Sequence, residues 1–218
     1  MINIKQLRRR ALARTTVGLS AIAVAGALAV PLSLTGAAAA SAAPVTSAAN
    51  ASNGSVSFNL VPSSAAIKAC VPHLRGYVTI TPGSQNDVMQ IHLSGAPANA
   101  GFDLFVIQQP GKPFGLAWYT TDVDANSHGN AYARVQGIFD VGTFSVSQGG
   151  PTTTFAPTHQ HHLGLWFDSP SLPFKLGCEP GATVPAVTPF NSEQHAGIQA
   201  LNTAEFPVDN GPLAQLSN

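Results

Sequence analysis

The chain has 218 residues, of which 44% are hydrophobic and only 9% charged, with ten basic and ten acidic side chains. No basic patch is visible, which argues against nucleic-acid binding, because phosphate recognition needs clustered Lys and Arg. With so few charges, the chain depends on Ser, Thr, Asn and Gln for its solubility.

The first 43 residues have the layout of a cleavable signal peptide. Basic residues at positions 5, 8–10 and 14 precede an apolar run at 17–34 and an Ala/Ser stretch at 37–43. This order of charge, hydrophobe and small residues is typical of secretory signals. We predict that the first residue of the mature chain lies from Ser41 to Pro44, with export by the general or the twin-arginine route.

An uncleaved membrane anchor is the alternative interpretation of this segment. Residues 15–34 are long enough to cross a bilayer, for which about 20 apolar residues are needed. Gly18, Gly26 and Pro31 interrupt the run, and a processing-type sequence follows it. Cleavage is therefore favoured, and we expect a secreted or envelope-associated protein with no stable membrane anchor.

Cleavage changes the charge balance. Five of the ten basic residues lie in the predicted signal peptide, whereas all ten acidic residues lie beyond it. The mature chain therefore has five basic and ten acidic side chains, a formal net charge of −5. This excess of acids repels phosphate groups, so no nucleic-acid partner is expected.

Only two cysteines are present, Cys70 and Cys178. An even number of cysteines in an exported chain indicates a disulfide rather than a metal or redox pair. The bond would close a long loop and stabilise the fold by about 4–5 kcal/mol in the chain-entropy view. No Cys-x-x-Cys motif is present, which argues against a thioredoxin-like role.

Short strands are predicted after a flexible lead-in at 44–53. Val56, Phe58 and Leu60 alternate with polar residues, the period-two pattern of a half-buried strand. Residues 102–107 are apolar on both faces, which predicts a central strand. The predicted strands cover approximately residues 55–60, 77–80, 89–93, 102–107, 116–121, 131–139, 143–147 and 161–167.

The fold class follows from these strands and the residues that separate them. The chain contains 17 prolines and 20 glycines, which are hard to accommodate in helices, and no long helical period appears. We predict an all-β protein, a single antiparallel β-sandwich of immunoglobulin-like or jelly-roll-like type over residues 54–180.

The C-terminal residues 181–218 are predicted to form an extension packed on the sandwich. Ile198, Leu201 and Phe206 are among several hydrophobic residues here, too many for a solvated tail. We predict a short helix over 193–201 followed by a strap. The alternative is a partner-facing surface, because the segment has three acids and no base.

One stretch resembles a piece of known modules. The sequence LSGAPANAGFDLFVI at 93–107 is similar to a segment of fibronectin-III and immunoglobulin-like modules, where a strand ends in a small-residue and proline turn and an aromatic residue opens the next strand. This resemblance implies a sandwich and no functional residue. The spacing between Cys and Trp in true immunoglobulin domains is absent.

The most suggestive polar cluster is THQHH at 158–162. If the following strand extends backwards, His159 and His161 project from the same face, because side chains alternate along a strand. Two imidazoles so placed can hold one Zn²⁺ or Cu²⁺. The third ligand is predicted to be His162 or a histidine from elsewhere: His73, His92 or His128.

The histidine spacing does not complete a known metal site. Cupin-type sites place a glutamate a few residues after His-x-His, but here the first acid is Asp168. The alternative is a polar loop whose histidines face solvent. We predict no cofactor, with Zn²⁺ or Cu²⁺ as the alternative.

The segment from Asp122 to Gly129 has oxygen-bearing side chains at alternate positions, like the beginning of a calcium loop. Ser127 stands where an EF-hand loop requires glycine, and no glutamate closes the loop. Asp, Asn and Gly are equally typical of turns between strands. We therefore favour a turn.

Five aromatic residues are candidates for sugar stacking: Trp118, Tyr119 and Trp166 first, with Tyr77 and Tyr132 beside them. The alternation along the last predicted strand places Trp166 on the opposite side from Leu165 and Phe167, which makes it the more exposed tryptophan in this interpretation. The alternative is a role in the core, which is usual for tryptophan in sandwiches.

No catalytic motif is found. The nucleophile elbow, the zinc-protease helix and the phosphate-binding loop are all missing from the sequence. We therefore predict a secreted, non-enzymatic module that binds a protein or glycan at or near the cell surface. The alternative function is extracytoplasmic Zn²⁺ or Cu²⁺ binding by His159 and His161, and a hydrolase assembled from loops has the least support.

Overall fold

The structure is a computed structural model. It describes residues 50–52, 54–139, 144–146, 153–155, 158–189 and 195–216. The chain divides into two units, residues 1–42 and 43–218, and the described residues all belong to the second. The predicted signal peptide and most of the predicted lead-in lie outside the described residues.

The described part of the chain is all-β, as predicted, with two short helices, α1 (Ala65–Cys70) and α2 (Ser171–Lys175), and a C-terminal 3-10 helix (Pro212–Leu216). Every strand pair is antiparallel. The strands are β1 (Asn50–Ser52), β2 (Ser55–Pro62), β3 (Arg75–Thr81), β4 (Asp87–Ser94), β5 (Phe102–Ile107), β6 (Ala117–Asp122), β7 (Ala131–Gly137), β8 (Phe144–Val146), β9 (Thr153–Phe155), β10 (His162–Phe167), β11 (Thr188–Pro189), β12 (His195–Ala196) and β13 (Gln199–Asn202).

The main sheet has the strand order β6-β5-β10-β13-β2-β3-β4-β7, and β1 pairs with β2. Strand β2 changes partner along its length. Its residues 56–60 pair with β3, whereas Val61 and Pro62 pair with β13. We call β1, β2, β3, β4 and β7 sheet A, and β5, β6, β10 and β13 sheet B. The two sheets are thus joined through β2.

Both sheets contribute to one core. Sheet A buries one face, since Val56, Phe58 and Leu60 are buried while their neighbours along β2 are not, as the period-two pattern predicts. Side chains of sheet A such as Val78 and of sheet B such as Leu165 belong to one contiguous cluster. All six residues of β5 are buried, which confirms a central strand there.

The stretch 93–107 connects the two sheets. Strand β4 ends at Ser94 in sheet A, and β5 begins at Phe102 in sheet B. The intervening turn contains Asn99 in the left-handed conformation, with φ of 56°. The stretch thus consists of a strand, a turn of small residues and a second strand that begins with Phe102. Membership of an immunoglobulin-like family stays a prediction.

The predicted disulfide between Cys70 and Cys178 is present and joins residues 108 positions apart. Cys70 ends α1, a helix that begins after Ser64, whose hydroxyl accepts a hydrogen bond from the Ile67 amide at 3.2 Å. This is a normal helix N-cap. The Cys70–Cys178 disulfide is consistent with an extracellular location.

The C-terminal segment packs on the sheets as predicted, but its residues 199–202 form a strand of sheet B. The predicted helix over 193–201 is wrong: β13 lies between β10 and β2 and completes sheet B. Pairing on both sides satisfies its backbone groups, which outweighs any local helical preference. After β13, Phe206, Leu213 and Leu216 are buried against the core. Among the described residues, no helix has the length and hydrophobicity needed to span a bilayer.

Candidate ligand-binding site

The outer face of sheet B is apolar and covered, unlike that of sheet A. Along β5, Phe102, Leu104 and Val106 belong to the main core. The alternate residues Phe105 and Ile107 face the other side, where they form a second buried cluster. The remaining members of this cluster are Trp166, Ala196 and the half-buried Phe114.

The loop that joins β5 to β6 forms part of the cover. It is held as a narrow turn, because the Gln109 amide donates to the Phe114 carbonyl at 3.1 Å and the Gln108 amide to the Leu116 carbonyl at 3.0 Å. The Gln108 side chain also accepts from the Leu116 amide at 2.7 Å. This turn places the Phe114 ring edge to face against Trp166, with the two ring centroids 4.9 Å apart.

Trp166 is at the centre of the cluster and lies over Gly164, two residues earlier in β10. A Cβ atom at Gly164 would collide with the indole ring. The absence of a side chain at this position therefore lets the indole lie against the strand. The Phe105 ring meets it from the side at 5.2 Å, also edge to face.

Replacing Gly164 by Ala is expected to displace the indole and lower the free energy of unfolding by about 1–3 kcal/mol, as overpacking usually does. Chemical denaturation measures the loss, and Trp emission should shift to longer wavelength as Trp166 gains contact with water. Gly111→Ala is the matched control, since a Cβ atom there meets nothing within 4 Å. Equal stability and emission in both variants would contradict this packing.

Next to this cluster is a cavity of about 1000 Å³. Four aromatic rings contribute to its wall, those of Phe105, Phe114, Tyr119 and Trp166. Tyr119 is the exposed ring among them, with 45% of its surface accessible. The other lining residues are Lys112, Pro113, Gly115, Leu116, Ala117, Thr188, Pro189 and Ala196.

Carboxyl groups lie beside the Tyr119 end of this cavity. The Tyr119 hydroxyl donates to Asp122 Oδ1 at 2.7 Å. Asp122 pairs in register with Asp103 of β5, and their side chains share a hydrogen bond. Burial of the phenol and its bond to Asp122 raise the pKa of Tyr119, so it is neutral and a hydrogen-bond donor at neutral pH.

Asp103 is the most perturbed acid of the described residues. It is only 5% exposed, and its Oδ2 atom has no hydrogen-bond partner. Burial raises its pKa to about 7, with further contributions from the charges of Asp122, Asp168 and Asp124. The Asp103–Asp122 pair therefore holds one proton at mildly acidic pH.

Asp124 and Asp168 lie next to each other near the same end of β5. A Cβ atom at Gly101 would meet carboxyl oxygens of both residues. Partial desolvation and the charges of Asp124 and Asp122 raise the pKa of Asp168, although the Ser169 backbone amide lowers it. The sequence pattern indicates a turn, or the beginning of a calcium loop, for Asp122 and Asp124; it does not predict that they lie near Asp103 and Asp168.

The segment after Asp124 has turn geometry, as favoured from the sequence. The Asn126 side-chain oxygen accepts from the amides of His128 at 2.9 Å and Asn130 at 3.1 Å. This is the hydrogen bonding of an Asx turn. The segment connects β6 and β7, which stand at opposite ends of the strand order.

The structure separates the three first-named aromatic candidates. Tyr119 and Trp166 line the cavity, whereas Trp118 is not among its lining residues and pairs with Val106 in the register of β5 and β6. The expectation that Trp166 is the more exposed tryptophan is wrong, since it is 4% exposed and Trp118 is 44% exposed. The strand alternation was correct, but Phe105 and Phe114 cover the outer face.

The structure places the three histidine candidates in different environments. Strand β10 begins at His162, so it does not extend back to His159, which has a left-handed backbone with φ of 54°. The rings of His159 and His161 nevertheless meet, with centroids 5.5 Å apart. His162 is fully buried and bonded at both nitrogens, to the Thr203 hydroxyl at 2.8 Å and the Val208 carbonyl at 2.9 Å.

No third ligand joins the histidine pair within the described ranges, where no group of three or more His, Cys, Asp or Glu residues is arranged to hold a metal ion. His92 instead packs on Tyr132 in sheet A, with ring centroids 4.7 Å apart. Comparison with family models, curated proteins and solved structures finds no match for this chain.

Proposed function

We propose that this chain is an exported, non-enzymatic binding protein that takes a cell-surface glycan into the aromatic cavity on the outer face of sheet B. The observation that carries the proposal is the cavity itself, about 1000 Å³ with four aromatic rings in its wall. Concave sites with aromatic walls and a few placed polar groups are the usual form of small-ligand sites.

The combination of Tyr119 with Asp122 favours a glycan over an apolar ligand. The exposed Tyr119 ring offers a flat face of negative potential, on which the C–H groups of a sugar ring can stack. The Asp122 carboxylate beside it is exposed and can accept hydrogen bonds from sugar hydroxyls. Lys112 lines the same cavity and adds a cationic donor.

Export is supported by two independent features. The N-terminal sequence has the layout of a signal peptide. The Cys70–Cys178 bond is of the kind that persists in oxidising compartments. The alternative ligand is a segment of another protein. It would contact the same aromatic wall but would not need the Asp122 carboxylate.

Binding to an array of cell-surface glycans, followed by calorimetry with the retained glycan, tests this proposal. Tyr119→Ala is expected to weaken binding at least ten-fold, because it removes the stacking face and a hydroxyl. Tyr132→Ala is the matched control: Tyr132 is a similarly exposed tyrosine on sheet A, 52% accessible against 45% for Tyr119.

Two results would overturn the proposal. Retained binding by Tyr119→Ala would place the glycan elsewhere on the surface. Retention of an envelope protein but of no glycan, lost in Tyr119→Ala and kept in Tyr132→Ala, would assign the cavity to a protein partner.

A further inference from the structure

The segment just before β10 has an unusual backbone conformation. His159 has φ of 54°, in the left-handed region that non-glycine residues seldom occupy. The His161 amide donates to the His159 carbonyl at 3.0 Å, which closes a tight turn between them. Strained backbone of this kind is concentrated at functional sites. Here it brings the two imidazole rings into perpendicular contact, with centroids 5.5 Å apart.

His161 is buried, and its ring makes no hydrogen bond of normal geometry, although the Asp209 backbone lies near it. It is only 6% exposed, and both Nδ1 and Nε2 lack such a bond. The neighbouring His162 is fully buried and has both nitrogens bonded. Buried polar atoms without partners are rare because each costs free energy. His161 is therefore the exception within this histidine cluster and has free coordinating capacity.

The surroundings suit a metal ion. A cavity of about 400 Å³ lies beside His159, which lines it together with Gln108, Gln109, Val208 and Asp209; His161 reaches this region through its ring contact with His159. Imidazole binds a metal ion through a ring nitrogen that is not engaged elsewhere, and neither ring nitrogen of His161 has a hydrogen-bond partner of normal geometry.

We propose that His159 and His161 bind one divalent transition-metal ion of the class that prefers imidazole, Zn²⁺ or Cu²⁺, with water at the remaining positions. His162 is not a ligand, because both of its nitrogens are already bonded. The site is separate from the aromatic cavity, since the two cavities share no lining residue.

Metal titration of the exported chain tests this proposal, with protein made without a histidine tag and stripped with a chelator. Calorimetry with zinc chloride is expected to show one equivalent bound. Copper sulfate is expected to give an electron paramagnetic resonance spectrum with two nitrogen ligands. His159→Ala and His161→Gln should each weaken zinc binding at least ten-fold and reduce the copper spectrum from two nitrogen ligands to one at most.

The controls separate a specific site from general imidazole binding. A His73→Ala/His128→Ala variant removes two exposed histidines elsewhere and should bind both ions as the wild type does. His159 is exposed, so His159→Ala should fold normally even if His161→Gln does not. Unchanged zinc and copper binding in His159→Ala, or no binding by the wild type, would overturn the proposal.

Discussion

Asp103→Asn is expected to raise the free energy of unfolding at pH 8 by about 2–4 kcal/mol and to leave it nearly unchanged at pH 4. The pKa of Asp103 is raised from 3.8 to about 7, first by burial and then by the charges of Asp122, Asp168 and Asp124. Asparagine has the shape and the hydrogen-bond donor of the protonated acid, but it cannot ionise.

The sign follows from proton linkage. Because the pKa of Asp103 is higher in the folded protein than in the unfolded chain, the folded state holds more protons between pH 4 and pH 7. The contribution of this group to stability is therefore complete below about pH 4 and is lost as the pH rises through about 7. The asparagine variant escapes this loss, so the difference between the two unfolding curves should widen over that window.

Asp87→Asn is the matched control. Asp87 is also buried, but its carboxylate accepts hydrogen bonds from the amides of Gly83 at 3.4 Å and Phe139 at 2.8 Å. Neutralising it should lower the free energy of unfolding at pH 8, in the opposite direction to Asp103→Asn. Chemical denaturation from pH 4 to 8 measures both. A loss of stability in Asp103→Asn at pH 8 would show that the charged form of Asp103 is favoured where it lies.

Removal of the disulfide is the second change with a large expected effect. Cys70→Ala/Cys178→Ala opens a loop of 108 residues, which should lower the free energy of unfolding by about 4–5 kcal/mol in the chain-entropy view. The disulfide also joins α1, which precedes β3 of sheet A, to the segment that follows α2. Guanidinium denaturation of the double variant, beside wild type treated with a thiol reductant, measures the loss.

The two samples should agree, because both lack the same bond. A loss below about 1 kcal/mol in both would mean that the unfolded chain gains little freedom when the bond is absent. A large loss in the reduced wild type alone would instead point to an effect of the reductant and not of the disulfide.

Strands β2, β3, β4 and β7 of sheet A could be predicted from the sequence because each alternates between buried and more exposed residues. Val56, Phe58 and Leu60 alternate with polar residues, and this pattern alone places the strand and its buried side. The run at 102–107 predicted a central strand for a different reason: its residues are apolar on both faces apart from Asp103, and all six are buried. The disulfide followed from the cysteine count.

Other features depend on contacts between distant residues and were missed. Strand β13 has only four residues, and its strand character comes from pairing with β10 and β2. Helix α1 carried a readable signal, Ser64 before a run of good helix formers, but it is six residues long and was overlooked. Short elements are decided by tertiary context more than by local propensity.

The candidate site was predicted only in part. The sequence indicates Tyr119 and Trp166, but Phe105 and Phe114, which complete the wall, come from β5 and the loop after it. Only the pairing of β5 with β10 brings these rings to Trp166. The sequence does contain one indication of the site: Asp103 is an acidic residue within the otherwise apolar strand β5. A charged side chain in such a position indicates a perturbed and often functional group.

The most direct test of the proposed function is a nuclear magnetic resonance titration of the protein with the glycan that the array retains. The indole N–H of Trp166 and the amides around Tyr119 and Phe114 should shift together and saturate at one equivalent, because these residues line one cavity. Saturable shifts confined to sheet A, with the Trp166 indole signal unmoved, would contradict binding in the aromatic cavity.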